Sequence, residues 1–279
     1  MRIDLHIHSY YSDGTLTPQE IIQNAKNNDV ELIALTDHNQ CTGNKEIIEF
    51  AKEANIQCIT GAEVDTLEDG ENFHVLAYGY DLENTEFKNY LETIKRKLDE
   101  VSEKLIMKME KDYPEVSLDD FNQYTYDPKL GGWKALYYFI DRKLANDIGE
   151  SFGYYFKYDH TYECVDFPPI QEVCQMIHFA KGKAVLAHPG KVIDTKAMEY
   201  FKFKLRKIIE SNDLDGIECY YPSHTEEVVK VCLELCKEKD LMITCGCDCH
   251  GTFEKTTIGQ LDIAKEELVL KDLVVHNII

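Results

Sequence analysis

Positive charge is scarce in this chain: 30 Lys and Arg stand against 51 Asp and Glu in 279 residues, a formal net charge of −21. Binding along a nucleic-acid backbone needs Lys and Arg to neutralise phosphates, so a long polymer is not the expected partner. Long apolar runs are missing too. No stretch approaches the ~20 residues that span a bilayer, and no charged-then-apolar leader opens the sequence, which predicts a cytoplasmic protein with no membrane partner. The 10 Cys are too scattered for a disulfide framework and read as reduced thiols. There is no internal repeat and no Gly-x-Ser-x-Gly nucleophile elbow.

What the chain does have begins at Arg2-Ile-Asp-Leu-His6-Ile-His8, a strand pattern that delivers two imidazoles to one side. Alternation predicts His6 and His8 pointing together, with Ile3, Leu5 and Ile7 in an apolar layer opposite. The same arrangement recurs. Apolar runs end in Asp37-His38, Glu63, His188-Pro189 and Glu218, another leads to Asp248-Cys-His250, and His74 lies inside a strand pattern. Most of these runs read as buried parallel strands, and helical patterns such as Thr17-Pro18-Gln-Glu-Ile-Ile separate them. Alternating strand and helix predict an α/β fold, barrel or open sheet, in which strand ends converge on one face. So many independent strand ends closing on His, Asp or Glu predict a metal site.

Taken in order, His6-x-His8 with Asp13, Thr36-Asp37-His38, Gly61-Ala62-Glu63, His74, Ala187-His188-Pro189 and Asp248-x-His250 resemble the motifs of the PHP family, the polymerase-and-histidinol-phosphatase phosphoesterases. The resemblance implies a distorted barrel of about seven β/α units. It further implies two or three divalent metals. By that likeness His6, His8, Glu63 and Asp248 hold one ion, Asp13, His38 and His250 a second, and Glu63 bridges to a third held with His74 and His188. Imidazole plus carboxylate suits Mn, Fe or Zn. The expected chemistry is hydrolysis of a small phosphate ester, a nucleotide-like phosphomonoester first, by a metal-bound hydroxide.

In Cys245-Gly-Cys247-Asp248-Cys249-His250, an extended segment would turn all three thiols away from Asp248 and His250. Cys232 and Cys236 read as a core stripe, and His178 and His276 as structural. The expected domains are a catalytic barrel from residues 1–111 and 168–279, and a small, mostly helical insertion at 112–167 that caps the strand ends. Trp133 and Lys134 of the insertion, with Lys191 and His224 of the barrel loops, are the expected substrate contacts. The resemblance to relatives that hydrolyse nucleotide phosphates has two departures: Gly132 and Lys134 stand where those carry Arg and His. Three alternatives remain. One is activity on histidinol phosphate. Another is an amidohydrolase-like enzyme, which shares His-x-His but uses a bridging lysine that no strand end offers here. The third is a non-catalytic metal-binding module, which would lack ligands.

Overall fold

The computed structural model describes residues 2–276. Seven strands lie in sequence order in one sheet: β1 (Arg2–Ile7), β2 (Val30–Leu35), β3 (Gln57–Glu68), β4 (Glu71–Tyr78), β5 (Lys183–Leu186), β6 (Gly216–Tyr220) and β7 (Met242–Cys245). The sheet curls back on itself. The residues after β7 return to β1 through an Ile7–Cys249 bridge, where the His8 N–H donates to the Cys249 carbonyl at 2.9 Å. The fold is thus an α/β distorted barrel, with helices α1 (Pro18–Asn27), α2 (Asn44–Ala54), α7 (Ile170–Phe179), α9 (Met198–Ser211) and α10 (Glu226–Lys239) between its strands.

Local chemistry fixes these elements. Thr17 caps α1 through the Glu20 N–H, Glu20 answers at the Thr17 N–H, and Pro18 supplies a preset φ at the first helical position. Alternate strand residues then sort into two layers. Leu32, Ala34, Ile59, Leu76, Tyr78 and Val185 share one cluster inside the barrel, while Ile33, Leu35 and Cys58 pack outward against α1 and α2.

Three details depart from a plain alternation of parallel strands. Most strand pairs are parallel, as expected, but β4 runs antiparallel to both β3 and β5. The reason is a hairpin at Asp69-Gly70, both with positive φ (52° and 80°), a turn signal that the two central positions of a tight hairpin favour. Ile3, Leu5 and Ile7 do not share a layer either. Ile3 and Leu5 join the inner cluster and Ile7 the outer one, because the register shifts between Asp4 and Ile7. Likewise Cys247 and Cys249 pack in the outer layer but Cys245 in the inner one, since β7 ends at Cys245 and strict alternation ends with it.

Between β4 and β5 the chain leaves the barrel along α3 (Thr85–Met109) and forms α4 (Leu118–Gln123), α5 (Lys134–Asp141) and α6 (Ile148–Lys157). These helices have their own core of Phe121, Ala135, Tyr138, Phe139 and Ala145, to which α3 contributes Leu105, Ile106 and Met109. The apolar packing therefore extends into the last turns of α3. Phe139 is fully buried there. Phe139→Ala is expected to cost about 3–5 kcal/mol in urea denaturation; a loss below about 1 kcal/mol would contradict a packed core at this place.

Candidate metal centre

Glu63 occupies the middle of the strand-end face. It is 1% exposed, and its two oxygens meet five imidazoles. Oε2 lies 3.1 Å from His6 Nε2, 3.1 Å from His8 Nε2 and 3.4 Å from His38 Nε2; Oε1 lies 2.7 Å from His74 Nδ1 and 2.9 Å from His188 Nε2. Asp248 Oδ1 approaches His6 Nε2 at 3.4 Å and His8 Nε2 at 3.2 Å. Asp13 meets His250 Nε2 at 3.3 Å, His8 Nδ1 at 3.5 Å and His38 Nε2 at 3.8 Å. All nine residues expected as ligands converge here.

The arrangement fits bound ions on two counts. Ligands bonded to one ion at about 2.1 Å stand roughly 3–3.4 Å apart, which is the spacing of the His6, His8, Glu63 and Asp248 atoms. Several of the buried atoms, among them His6 Nε2, both His8 nitrogens, Asp13 Oδ1, His38 Nδ1 and Asp248 Oδ1, also have no hydrogen-bond partner among the described residues. Buried polar atoms are seldom left so, and a shared cation would satisfy them. Three groups have the geometry: His6, His8, Glu63 and Asp248; His8, Asp13, His38 and His250; and His38, Glu63 and His74. The expected grouping differs in three places. His8 also belongs with Asp13, because its two ring nitrogens face opposite groups, His38 also stands with Glu63 and His74, and His188 meets Glu63 from outside that third set.

Burial favours the uncharged form of every group here, and mutual charge reverses it for most. Desolvation pushes the His8 imidazole down, yet Asp248, Glu63 and Asp13 hold it up at about 10. His74 is likewise held up at about 10 against burial by Glu63 and Asp65. Against the upward push of burial, Glu63 and Asp248 are held well below the usual carboxylate range, His6 being the leading charge on each. A cation entering the cluster must therefore displace protons.

Several residues of the site were given no role from sequence. Glu218, fully buried on β6, accepts the His6 Nδ1–H at 2.9 Å and the His188 backbone N–H at 2.9 Å. Its place at a strand end was legible, but not its two partners. Asp65 lies 3.2 Å from His74 Nε2 and is fixed by Asn39 and Asn72. Continuing β3 past Glu63 by one alternation would have found it. Tyr221 donates to Asp248 Oδ2 at 2.8 Å. Gly246 admits the backbone close to His6 and Glu218, where a Cβ would collide with both.

The four expected substrate contacts divide. Lys191 reaches the centre, with Nζ 3.0 Å from Asp248 Oδ2. His224 is spoken for at both ring nitrogens: Nδ1–H donates to the Cys219 carbonyl at 2.9 Å and Nε2 accepts the Gly190 N–H at 3.1 Å. Trp133 and Lys134 turn into the insertion. The indole N–H donates to Tyr155 at 2.9 Å, and Lys134 Nζ sits 4.1 Å over the Phe121 ring. An apolar neighbour drew in the lysine stem that the sequence had left free. The insertion instead touches the site's rim through the Gly132 N–H, which donates to the Asp13 carbonyl at 2.7 Å. Tyr126 and Tyr162 sense the same acids: burial and then Asp13 push the Tyr126 phenol up to about 12, and burial and then Asp65 raise Tyr162.

Comparison with known proteins agrees with this architecture. The PHP domain matches residues 4–266. A 5′-3′ exoribonuclease of Haemophilus influenzae is 27% identical over 253 residues, 89% of this chain and 90% of that protein. A phosphoribosyl 1,2-cyclic phosphate 1,2-diphosphodiesterase of Eggerthella lenta is 27% identical over 263 residues, covering 90% and 94%. A 3′,5′-nucleoside bisphosphate phosphatase of Chromobacterium violaceum is 27% identical, covering 68% and 67%. Two solved structures share the fold at a TM-score of 0.74: one of Chromobacterium violaceum described as an amidohydrolase (23% identical, covering 92% and 90%), and one of Bifidobacterium adolescentis described as a metal-dependent phosphoesterase (22%, covering 92% and 91%). Fold and site define a hydrolase of the metal-dependent phosphoesterase class. The chain belongs to the PHP family.

The raised imidazoles give a sign to metal loading. Groups held up at about 10 carry protons at neutral pH, so affinity should climb as pH rises from about 6 to 9 and protons should be released on binding. Calorimetric titration of Mn²⁺ in buffers of different ionisation enthalpy checks this. Heats that do not depend on the buffer, with an affinity flat in pH, would contradict it.

Proposed function

We propose that this protein hydrolyses a small, nucleotide-like phosphate ester at the Glu63 centre, with His6, His8, Asp13, His38, Glu63, His74, His188, Asp248 and His250 holding two or three Mn, Fe or Zn ions. The observation that carries the reading is the convergence of buried, unpartnered ligand atoms at the spacing of a coordination shell. Divalent ions bound there supply Lewis-acid chemistry, activating water and taking up charge on phosphoryl oxygens. The chain's own residues do the rest. Lys191 is the cation on the rim: desolvation lowers it, but Asp248 and Glu63 hold its ammonium above the ordinary range, so it stays charged to meet an incoming phosphoryl oxygen. Tyr221 keeps Asp248 oriented through the oxygen that Lys191 also uses.

Substrate choice falls to the insertion, residues 112–167, as a cap. Trp133 and Lys134 face inward; Tyr126, whose hydroxyl donates to the carbonyl of Gly132 beside Asp13, offers aromatic surface to a base. The named relatives act on phosphoribosyl, nucleoside and RNA phosphates, which supports a substrate with a ribose next to the ester. The charge of −21 favours a small ester over a long RNA. Among the described residues no helix is long and apolar enough to cross a membrane, and the free thiols suit a cytoplasmic setting.

The test is phosphate release from nucleoside bisphosphates, mononucleotides and short 5′-phosphorylated RNA after loading with Mn, Fe or Zn. Activity should vanish with chelator and in His8→Ala, and Lys191→Ala should lower kcat/KM about 10–100-fold, the share of one charged hydrogen bond. Activity that survives chelation, or a trapped covalent phosphoenzyme, would refute the reading.

A further inference from the structure

The turn that follows β5, α8 (Pro189–Val192), carries two groups of the site on its ends, His188 and Lys191, yet little in its own backbone holds it. It closes the Lys191 N–H onto the His188 carbonyl and the Ile193 N–H onto the Pro189 carbonyl, each at 2.9 Å. A single helical turn is below the length at which such bonds sustain themselves. His188 moreover sits at φ 24°, on the side of backbone space that non-glycine residues seldom enter unless their surroundings compel it.

The two N–H groups at the start of this turn, those of His188 and Gly190, both go to side chains of β6 and its exit loop, with Pro189 between them contributing none. Glu218 Oε2 accepts the first at 2.9 Å and His224 Nε2 accepts the second at 3.1 Å. Each of these side chains is tied down at its other end. Glu218 Oε1 takes the His6 Nδ1–H, which leaves His6 Nε2 facing Glu63 and Asp248. His224 Nδ1 meets the Cys219 carbonyl, which only accepts, while the Gly190 amide only donates, so the two partners define a single neutral tautomer. Gly190 lies flat against this ring. A Cβ there would stand 2.8 Å from His224 Cδ2.

We propose that Glu218 and His224 act as positioning residues: a bracket from β6 and its exit loop that holds the His188–Lys191 turn so that the imidazole meets Glu63 and the ammonium meets Asp248. Neither residue touches the substrate. The inference rests on the reading of the Glu63 cluster as an ion-holding phosphoesterase centre. It reassigns His224 from recognition of substrate to the geometry of the site.

The experiment compares wild type, His224→Ala, His224→Gln and Glu218→Gln by calorimetric Mn²⁺ titration, by Michaelis kinetics on the preferred ester and by hydrogen exchange over residues 188–193. His224→Ala should lose about 10–100-fold in Mn²⁺ affinity or kcat/KM, the usual range for groups that orient ligands, and should exchange faster over 188–193. His224→Gln offers an amide oxygen to the Gly190 N–H and an N–H to the Cys219 carbonyl, and should recover most of the loss. Glu218→Gln puts an NH₂ against one of two N–H donors and should weaken Mn²⁺ binding in a folded protein. Should His224→Ala not fold, the two Gln variants carry the test. A wild type that binds Mn²⁺, with variants equal to it in affinity and kcat/KM, overturns the bracket alone; a Gln variant no better than Ala does the same for His224. A wild type that binds no Mn²⁺ overturns the centre and the bracket together.

Discussion

A single buried carboxylate sets the terms for the whole strand-end face. Glu63 is removed from water and surrounded by imidazoles of His6, His8, His38, His74 and His188, which come from β1, β2, β4 and β5 or the residues just after them. A charge in that position is untenable without opposite charge and donors around it. The barrel supplies them by bringing its strand ends to one point. The hairpin at Asp69-Gly70, the register shift in β1 and the turn at Asp248 all serve this convergence, since each re-aims a strand or loop that straight alternation would have sent elsewhere.

From that constraint follows the sense of the residues around it. Asp65 fixes His74, Glu218 fixes His6 and the backbone of His188, and Tyr221 fixes Asp248. Carboxylate and phenol partners of this kind set which nitrogen or oxygen faces inward, and they make a cluster of side chains into a site of defined geometry. The thiols contribute nothing to it. Cys247 and Cys249 pack behind the loop among Ile21, Ile22 and Ile258, and burial raises both thiols, which marks them as apolar filling.

Much of this was legible in the sequence, for reasons that can be named. Strand alternation and the habit of parallel strands to end on one face brought His6, His8, His38, Glu63, His74, His188, Asp248 and His250 together, whereas Asp13 entered only through the resemblance to the PHP motifs, and the Thr17-Pro18 start of α1 was written in its capping chemistry. The direction of β4 was also written, in Asp69-Gly70, but an apolar run reads the same in either direction unless the turn is weighed. Orientation within the insertion was not legible. Trp133 and Lys134 carry the right chemistry for a substrate, and only the packing of Phe121, Phe152 and Tyr155 decides that they turn away from it. His224 was visible as a polar group on the catalytic face, whereas its commitment to two backbone partners depends on Gly190, distant in sequence, and on the loop after β6 folding the ring back to the Cys219 carbonyl.

The central claim is that the Glu63 cluster is a multi-ion site, and anomalous scattering from a crystal of Mn-loaded protein tests it most directly. The account predicts two or three peaks on the strand-end face, one of them between His6, His8, Glu63 and Asp248 at about 2.0–2.2 Å from each ligand atom. Peaks confined to the cysteines or to surface acids, with the Glu63 cluster empty, would contradict it.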